Sequence, residues 1–267
     1  ATRSGHVRRN KLSDFQGIKR NGKIAMKLDD GDAIIGVGLC NAQQNDILLT
    51  TALGRCIRFA TEEVRVFAGR DSTGVRGIRL ADSDSVISMA VLRSVEASPA
   101  ERAAYVKHAN AMRRATGDDV EEAAPSDDDE AEGDVTLSVE RIAELGAAEE
   151  VLLTVSTEGF GKRTSAYEFR RTGRGGQGLL AQDLTKKGGL LAASFPVEED
   201  DEILLVTDQG QLIRTPVKQV RMVGRNTSGV MIFRTSREEH VVSVERLEGQ
   251  GGEDGEDAAD LEEGPAE

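Results

Sequence analysis

EILLVTDQGQLIRT, residues 202–215, decides the fold, because the same grammar occurs twice more, in DILLTTALGRCIRF (46–59) and EVLLTVSTEGFGKRT (150–164). Each copy opens on an acidic residue, runs through β-branched and aliphatic residues, turns at a glycine (Gly54, Gly159, Gly210) and carries an arginine four residues past it (Arg58, Arg163, Arg214). At the start of the chain Gly5 is followed by Arg9 at the same distance, but no aliphatic strand leads into it, so the sequence enters the pattern midway and reads as a fragment. The glycine-to-glycine intervals are 49, 105 and 51 residues: a period near 50, with an extra segment inside the middle interval. Self-similarity at such a period marks a repeat architecture.

The second halves of the units repeat as well. GRDSTGVRGIRL from Gly69, GRGGQGLLAQDL from Gly173 and GRNTSGVMIFRT from Gly224 each place an arginine (Arg70, Arg174, Arg225) four residues before a glycine, and KRNGKI (19–24) holds the matching place in the first unit without that spacing. VISMAVL, LLAASFPV and VVSVERL then close the units. Each unit reads as strand, tight turn, strand, glycine-rich loop, strand, acidic turn, strand; four short strands per 50 residues predict a bladed all-β array. Residues 1–96 hold two blades, the first incomplete, and 151–247 hold two more of the same disc. Residues 97–150 break the pattern. Ser98, Pro99 and Glu101 predict a helix start for a segment running to about Arg114, DDVEEAAPSDDDEAEGD is too charged to pack and predicts disorder, and VERIAEL predicts a short helix. The whole is expected to be an acidic, partly helical surface insertion, followed from residue 248 by a disordered acidic tail.

The net charge of -13 disfavours nucleic acid until it is divided along the chain. Residues 1–96 carry 15 Lys/Arg against 11 Asp/Glu and residues 151–247 carry 14 against 12, whereas the insert has 5 against 15 and the tail adds nine carboxylates. The blades are mildly basic and the acidity is segregated. Two cysteines, Cys40 and Cys56, have no metal-ligand spacing and read as small buried thiols in a reducing cytoplasm. No run is long and apolar enough to cross a bilayer, and no signal-peptide core is present, so a cytoplasmic location without membrane contact is expected.

No catalytic constellation emerges. His6, His108 and His240 stand in unrelated contexts, no glycine-rich stretch ends as a phosphate-cradling loop would, and GRGGQG is followed by a strand-like run rather than a helix, against a dinucleotide fingerprint. No metal ligand set is expected. What recurs is basic residues at equivalent points of successive units. Arginine's planar fork suits phosphate oxygens, and loop amides beside glycine admit a close-lying backbone. Arranged around a ring, these positions predict a basic rim that holds duplex DNA through its backbone: Arg8, Arg9, Lys11, Lys19, Arg20, Lys23, Arg58, Arg70, Arg76, Lys162, Arg163, Arg171, Arg174, Arg214 and Arg225. On the residues alone a second reading stands beside it, in which these charges guard exposed strand edges. An aromatic content of 3% without tryptophan speaks against stacking on single strands.

VRRNKLSDF, GKIAMKLDDGD, DSTGVRGIRLADSD, GFGKRTSAYEF and VGRNTSGVMIFRT resemble the later blades of the C-terminal domain of DNA gyrase A subunits, a family of type IIA topoisomerases; the resemblance covers 1–96 and 151 to about 247. It implies a six-bladed β-pinwheel, of which about four blades are present, with strands exchanged between neighbours. It implies wrapping of duplex DNA in support of ATP-dependent negative supercoiling. The partners implied are the gyrase B subunit and the N-terminal part of the A subunit, in an A2B2 assembly that binds ATP and Mg elsewhere; no cofactor is expected on this stretch. The family's catalytic tyrosine lies upstream, so Tyr105 and Tyr167 are not candidates. The family's glycine-rich box survives only as a degenerate copy at Thr172, Gly173, Arg174, Gly175, Gly176, Gln177 and Gly178, lacking the leading Gln and both flanking basic positions. The A-type protein of topoisomerase IV, whose disc lacks a strong box, is the alternative inside this class. A propeller adaptor whose rim docks protein is the alternative outside it.

Overall fold

The computed structural model describes residues 1–117, 120–121 (backbone only), 135–236 and 238–249. Disorder is expected from the sequence over parts of the insert and the tail; 122–134 and 250–267 lie outside the described residues.

The repeat grammar becomes three similar antiparallel sheets. In the second unit the order is closing strand Val86–Arg93, leading strand Asn45–Thr51 and second strand Arg55–Ala60. The third unit repeats this with Leu191–Val197, Val151–Ser156 and Phe160–Ser165, and the fourth with Val241–Leu247, Glu202–Thr207 and Leu212–Pro216. The short third strand of each unit leaves its own sheet, as the resemblance implied. Val75–Arg76 pairs with His6–Val7 of the first unit, Leu179–Leu180 with Arg55–Cys56 of the second, and Val230–Met231 with Phe160–Gly161 of the third. Among the described residues the outer strand Leu212–Pro216 receives no such donation, and Leu212 is 62% exposed. In the first unit the closing segment lies antiparallel to the first residues of the chain, with a Thr2–Ile34 bridge, the Ile35 amide on the Ala1 carbonyl (3.0 Å), the Arg3 amide on that of Ala33 (2.8 Å) and the Ala1 amino group on that of Gly36 (2.9 Å).

The turn glycine has the same task in each acceptor. The carbonyls of Gly5, Gly54 and Gly159 each accept two amides of the incoming chain: Gly77 and Ile78, Ala181 and Gln182, Ile232 and Phe233. Just ahead of each donated strand stands a glycine with positive φ, and a Cβ there would meet the acceptor's backbone: 2.3 Å from the Val7 carbonyl oxygen at Gly74, 2.1 Å from that of Cys56 at Gly178 and 2.6 Å from that of Gly161 at Gly229. The exchange is possible only because nothing projects from these residues.

The core lies between the blades. The leading strands of the second and third units are buried on both faces, which is why they read as near-continuous apolar runs, whereas Glu202–Thr207 of the fourth alternates half-buried and buried residues. Ile47 and Leu49 face a cluster with Val7, Phe59 and Ile78, while Leu48 faces the opposite one with Leu152 and Phe169. Leu153 and Val155 in turn meet Ile203, Leu205 and Val217. A one-turn 3-10 helix begins seven residues past each turn glycine, at Leu12–Phe15, Thr61–Glu63, Ala166–Glu168 and Val217–Gln219; three residues are too few to show a period, so the sequence pattern does not announce it.

A buried lysine joins the third and fourth units. Lys162 is fully buried, and its ammonium donates to the carbonyls of Gly224 (2.9 Å), Thr227 (3.0 Å) and Arg225. Burial pushes its pKa down to about 7, with Glu168 opposing the shift and Arg225 adding to it.

The insert is more tightly docked than a surface insertion requires. Helix Pro99–Ala115 starts in a capping box between Ser98 and Glu101 and packs beside helix Val139–Ala148. Tyr105 meets Tyr167 of the third blade edge-on, with ring centroids 5.2 Å apart. The Tyr105 hydroxyl donates to Glu149 (2.9 Å), which also takes Arg113 (2.6 Å), and the Tyr167 hydroxyl donates to the Leu145 carbonyl (2.8 Å). Backbone pairing further places Val120–Glu121 parallel to Met222–Val223 of the fourth unit. Of the two thiols expected to be buried, Cys56 is, within the outer strand of the second unit, but Cys40 is exposed, in the irregular stretch ahead of the leading strand Asn45–Thr51.

For stability, Gly178→Ala should cost at least about 3 kcal/mol, because left-handed strain of roughly 1–2 kcal/mol is joined by a backbone clash that no rotamer relieves. Gly210→Ala, equally positive in φ but with nothing within 4 Å, should cost only the strain. Denaturant unfolding compares them, and equal losses would contradict strand donation as the source. Lys162→Met should destabilise by roughly 2–3 kcal/mol by leaving buried carbonyls unpaired. Since the folded pKa lies below the unfolded one, charging Lys162 weakens the fold below pH 7 and that cost is relieved above it. The parent should therefore gain on the variant between pH 6 and pH 9 in matched unfolding curves.

Candidate nucleic-acid interface

Blade exchange divides the basic residues of the repeat into two populations. The arginine four residues past the turn glycine lies on the outer strand. Arg58 there is 5% exposed: its Nε meets Asp46 at 2.9 Å, Nη1 donates to the Ala166 carbonyl (2.9 Å) and Nη2 to that of Arg93 (2.8 Å). Arg163 donates from Nε to Val220 (2.6 Å) and from Nη2 to Lys218 (3.4 Å), both carbonyls of the next unit. Arg214 pairs with Glu202 and its side chain stays 63% exposed. Asp46 and Glu202 are the acidic residues that open their units, so the acid-to-arginine grammar is, in the second and fourth units, an ion pair within a hairpin. Arg9 is half-buried, in parallel bridge with Val66.

The loop arginines form a second series. The Nη1 atoms of Arg70, Arg174 and Arg225 donate to the carbonyls of Ile24 (2.5 Å), Arg76 (3.0 Å) and Leu180 (2.6 Å). Each acceptor lies two residues past the loop glycine of the preceding unit (Gly22, Gly74, Gly178), which places KRNGKI in the same register as the other loops. The amides of Arg174 and Arg225 bind Glu63 (2.9 Å) and Glu168 (2.7 Å), again equivalent residues. In the first unit Arg8 holds the carbonyl of Ser72 at 2.5 Å, much as Lys162 holds that of Thr227.

The expected continuous rim is therefore corrected at Arg58, Lys162 and Arg225, whose side chains are buried and serve neighbouring carbonyls. Sequence could not separate them from the others, since a guanidinium satisfies a carbonyl or a phosphate with the same N–H groups. Lys11, Lys19, Arg20, Arg76, Arg171 and Arg174 are exposed, and Lys23 is half-buried with its ammonium on the Gln16 carbonyl (2.9 Å). Arg171 stands beside Ser94 (3.2 Å) and Asp46 (3.6 Å). The degenerate box, Thr172 to Gly178, runs between the second and third blades: Gly175 donates to the Gly77 carbonyl (2.6 Å), Gly176 accepts from Arg79 (2.8 Å), and Gly173, Arg174, Gly176 and Gln177 face solvent.

Basic residues outside the two repeated motifs also occur near these loops: Arg65, Arg170 and Arg221, with Lys186 and Lys187 in the turn after the donated strand Leu179–Leu180. Arg65 and Arg8 cover the Phe67 ring, their guanidinium carbons 4.4 and 4.8 Å from its centroid. Burial pushes the Arg8 pKa down; Asp71 opposes the shift, and Arg70 and Arg65 add to it, a sign of positive charge crowded at this junction. Among the described residues no group of three His, Cys, Asp or Glu side chains could hold a metal ion, and no helix is long and apolar enough to cross a membrane.

This geometry has known counterparts. The family model described as DNA gyrase C-terminal domain, beta-propeller, matches residues 1–41, 45–93, 150–198 and 201–248, one match for each unit. The DNA gyrase A subunit of Granulibacter bethesdensis is 54% identical over 252 residues, covering 91% of this chain and 27% of that protein. Its counterpart in Rickettsia bellii is 44% identical over 267 residues, covering 100% of this chain and 29% of that protein. The chain thus spans under a third of the length of these relatives. Among solved structures, the C-terminal domain of DNA topoisomerase IV superposes with a TM-score of 0.66 at 18% identity, over 93% of this chain and 60% of that one. A DNA gyrase A C-terminal domain gives 0.61 at 22% identity, over 92% and 64%. These two likenesses speak for the fold, while the family model and the sequence relatives carry the assignment: the chain belongs to the DNA gyrase C-terminal domain family.

Proposed function

We propose that this chain wraps duplex DNA within the A subunit of a gyrase, performing no chemistry of its own. The observation that carries the reading is family membership, with DNA gyrase A subunits among its relatives at 54% and 44% identity. Exposed basic residues in or beside the glycine-rich loops of successive units support it: Lys19 and Arg20 in the first, Arg76 in the second, Arg171 and Arg174 in the third. Contacts of this kind grip phosphates without reading sequence, and a curved series of them bends the duplex it holds. The intact protein would act with the gyrase B subunit and the remainder of its own chain in the cytoplasm, drawing on ATP and Mg bound elsewhere to supercoil DNA. Topoisomerase IV resembles the chain at the level of fold, whereas gyrase resembles it in sequence.

Duplex binding by the intact protein, titrated with salt, tests the reading. Affinity should fall about a thousandfold or more between 50 and 200 mM salt if six or more phosphates are neutralised. Absence of duplex binding at low salt would overturn it in favour of a protein-docking propeller.

A further inference from the structure

The step from one unit to the next needs little chain. Residues 198–201 alone lead from the closing strand Leu191–Val197 to the leading strand Glu202–Thr207. The equivalent step, from Val86–Arg93 to Val151–Ser156, holds the helical insert, and its described residues are fastened to each of the three later units. At the second unit, Arg93 donates its amide to the Glu150 carboxylate (2.7 Å) and Nη1 to the Ala147 carbonyl at the end of the second helix (3.1 Å). Arg141 of that helix pairs with Glu101 (3.0 Å) and holds the Glu96 carbonyl (2.7 Å). At the third unit, Tyr105 of the first helix and Tyr167 bury each other, leaving 5% and 6% exposed. Tyr167 stands in the 3-10 turn whose Ala166 carbonyl takes Arg58 of the second unit, just ahead of the Arg58–Arg171 bridge, so the helices grip the stretch by which the third unit is joined to the second. At the fourth, Val120–Glu121 runs parallel to Met222–Val223, which is itself paired with Arg163 of the third unit; the insert's backbone adds a strand to a sheet that two units share.

Such fastening has a mechanical meaning. A duplex resists bending, and a protein that curves it carries the opposing load across the junctions between its units. Those junctions rest on donated strands of two residues and on side chains that reach neighbouring carbonyls, and among the described residues the fourth unit receives no strand from a later one. The insert adds contacts that fix orientation as well as distance: an edge-on aromatic pair whose two hydroxyls are bound, Tyr105 to Glu149 and Tyr167 to Leu145. Held at three places, the units cannot turn against one another without breaking one of them.

We propose that the insert is a brace, which holds the second, third and fourth units at fixed angles and so sets the path of the duplex wrapped on them. The inference rests on the DNA-wrapping reading and deepens it. Two variants of the intact protein test it. One lacks residues 97–149, which leaves 94–96 and 150 between the strands, as many residues as 198–201 provide at the next step. The other is Tyr105→Ala, which undocks the helices without altering a blade. Each is measured for affinity to a duplex too short to bend, and for the linking-number shift left in closed DNA circles when a separate nicking-closing enzyme relaxes them around the bound protein; hydrogen exchange follows helix Pro99–Ala115 in Tyr105→Ala. Both variants should hold the short duplex as tightly as the parent, because no exposed cation of the blades is removed, and both should leave a smaller linking-number shift per bound protein, with the helix losing its protection in Tyr105→Ala. An excised or undocked insert with the parent's shift would overturn the proposal. So would loss of the short duplex, which would make the insert part of the grip and not of the path, and so would a helix that stays protected without Tyr105. If the excised protein does not fold, Tyr105→Ala alone decides. A parent that leaves no shift would sink the wrapping reading instead, a result distinct from a parent that wraps and variants that wrap equally well.

Discussion

Two residues of β-pairing, laid by each unit on the outer edge of the one before, are the constraint on which the molecule depends. So short a strand has no stability of its own, and an outer strand without it would present unpaired amides and carbonyls. The pairing holds because three other devices converge on it: a turn glycine whose carbonyl takes two incoming amides, a loop glycine with no Cβ to strike the acceptor, and a loop arginine that reaches back to a carbonyl one unit upstream. All three act on the same junction, which accounts for glycine and arginine recurring in register through the later units.

The same arrangement explains how a chain of net charge -13 can carry a basic surface. Cations in the blades are drawn in two directions. Those near the exchanged strands satisfy carbonyls that burial would otherwise leave unpaired, and Lys162 shows the cost, holding its proton only weakly in a site that excludes water. Those one or two residues further out keep their charge in solvent. The distinction is one of a few ångströms, and it decides whether an arginine is a structural strut or an exposed surface charge.

The fold was legible because its signals are periodic: apolar runs, turn glycines and loop arginines recur at constant spacing in the later three units, and the first keeps the turn glycine with an arginine four residues past it (Gly5, Arg9). The destination of the third strand was not, since a two-residue strand carries no information about which sheet it joins; only the resemblance supplied it. The site was legible as a list of basic residues and not as a surface. Arg58 and Arg171 both read from sequence as rim cations, yet one is locked between Asp46 and two carbonyls and the other is half in solvent. In the insert, the capping box at Ser98 announced the first helix, but nothing announced that Tyr105 would find Tyr167, far along the chain in the third blade.

Donation runs in one direction: every incoming strand lies later in the chain than the edge it completes. A ribosome making this protein therefore releases each of the first three units with its outer side unfinished, and that edge is sealed only when the following unit has emerged. At the junction of the second and third units the wait is longest, because the whole helical insert must be synthesised between the edge at Arg55–Ala60 and the strand Leu179–Leu180 that covers it. Assembly is vectorial, and the interval during which an open edge could meet another nascent chain is set by translation speed as much as by thermodynamics.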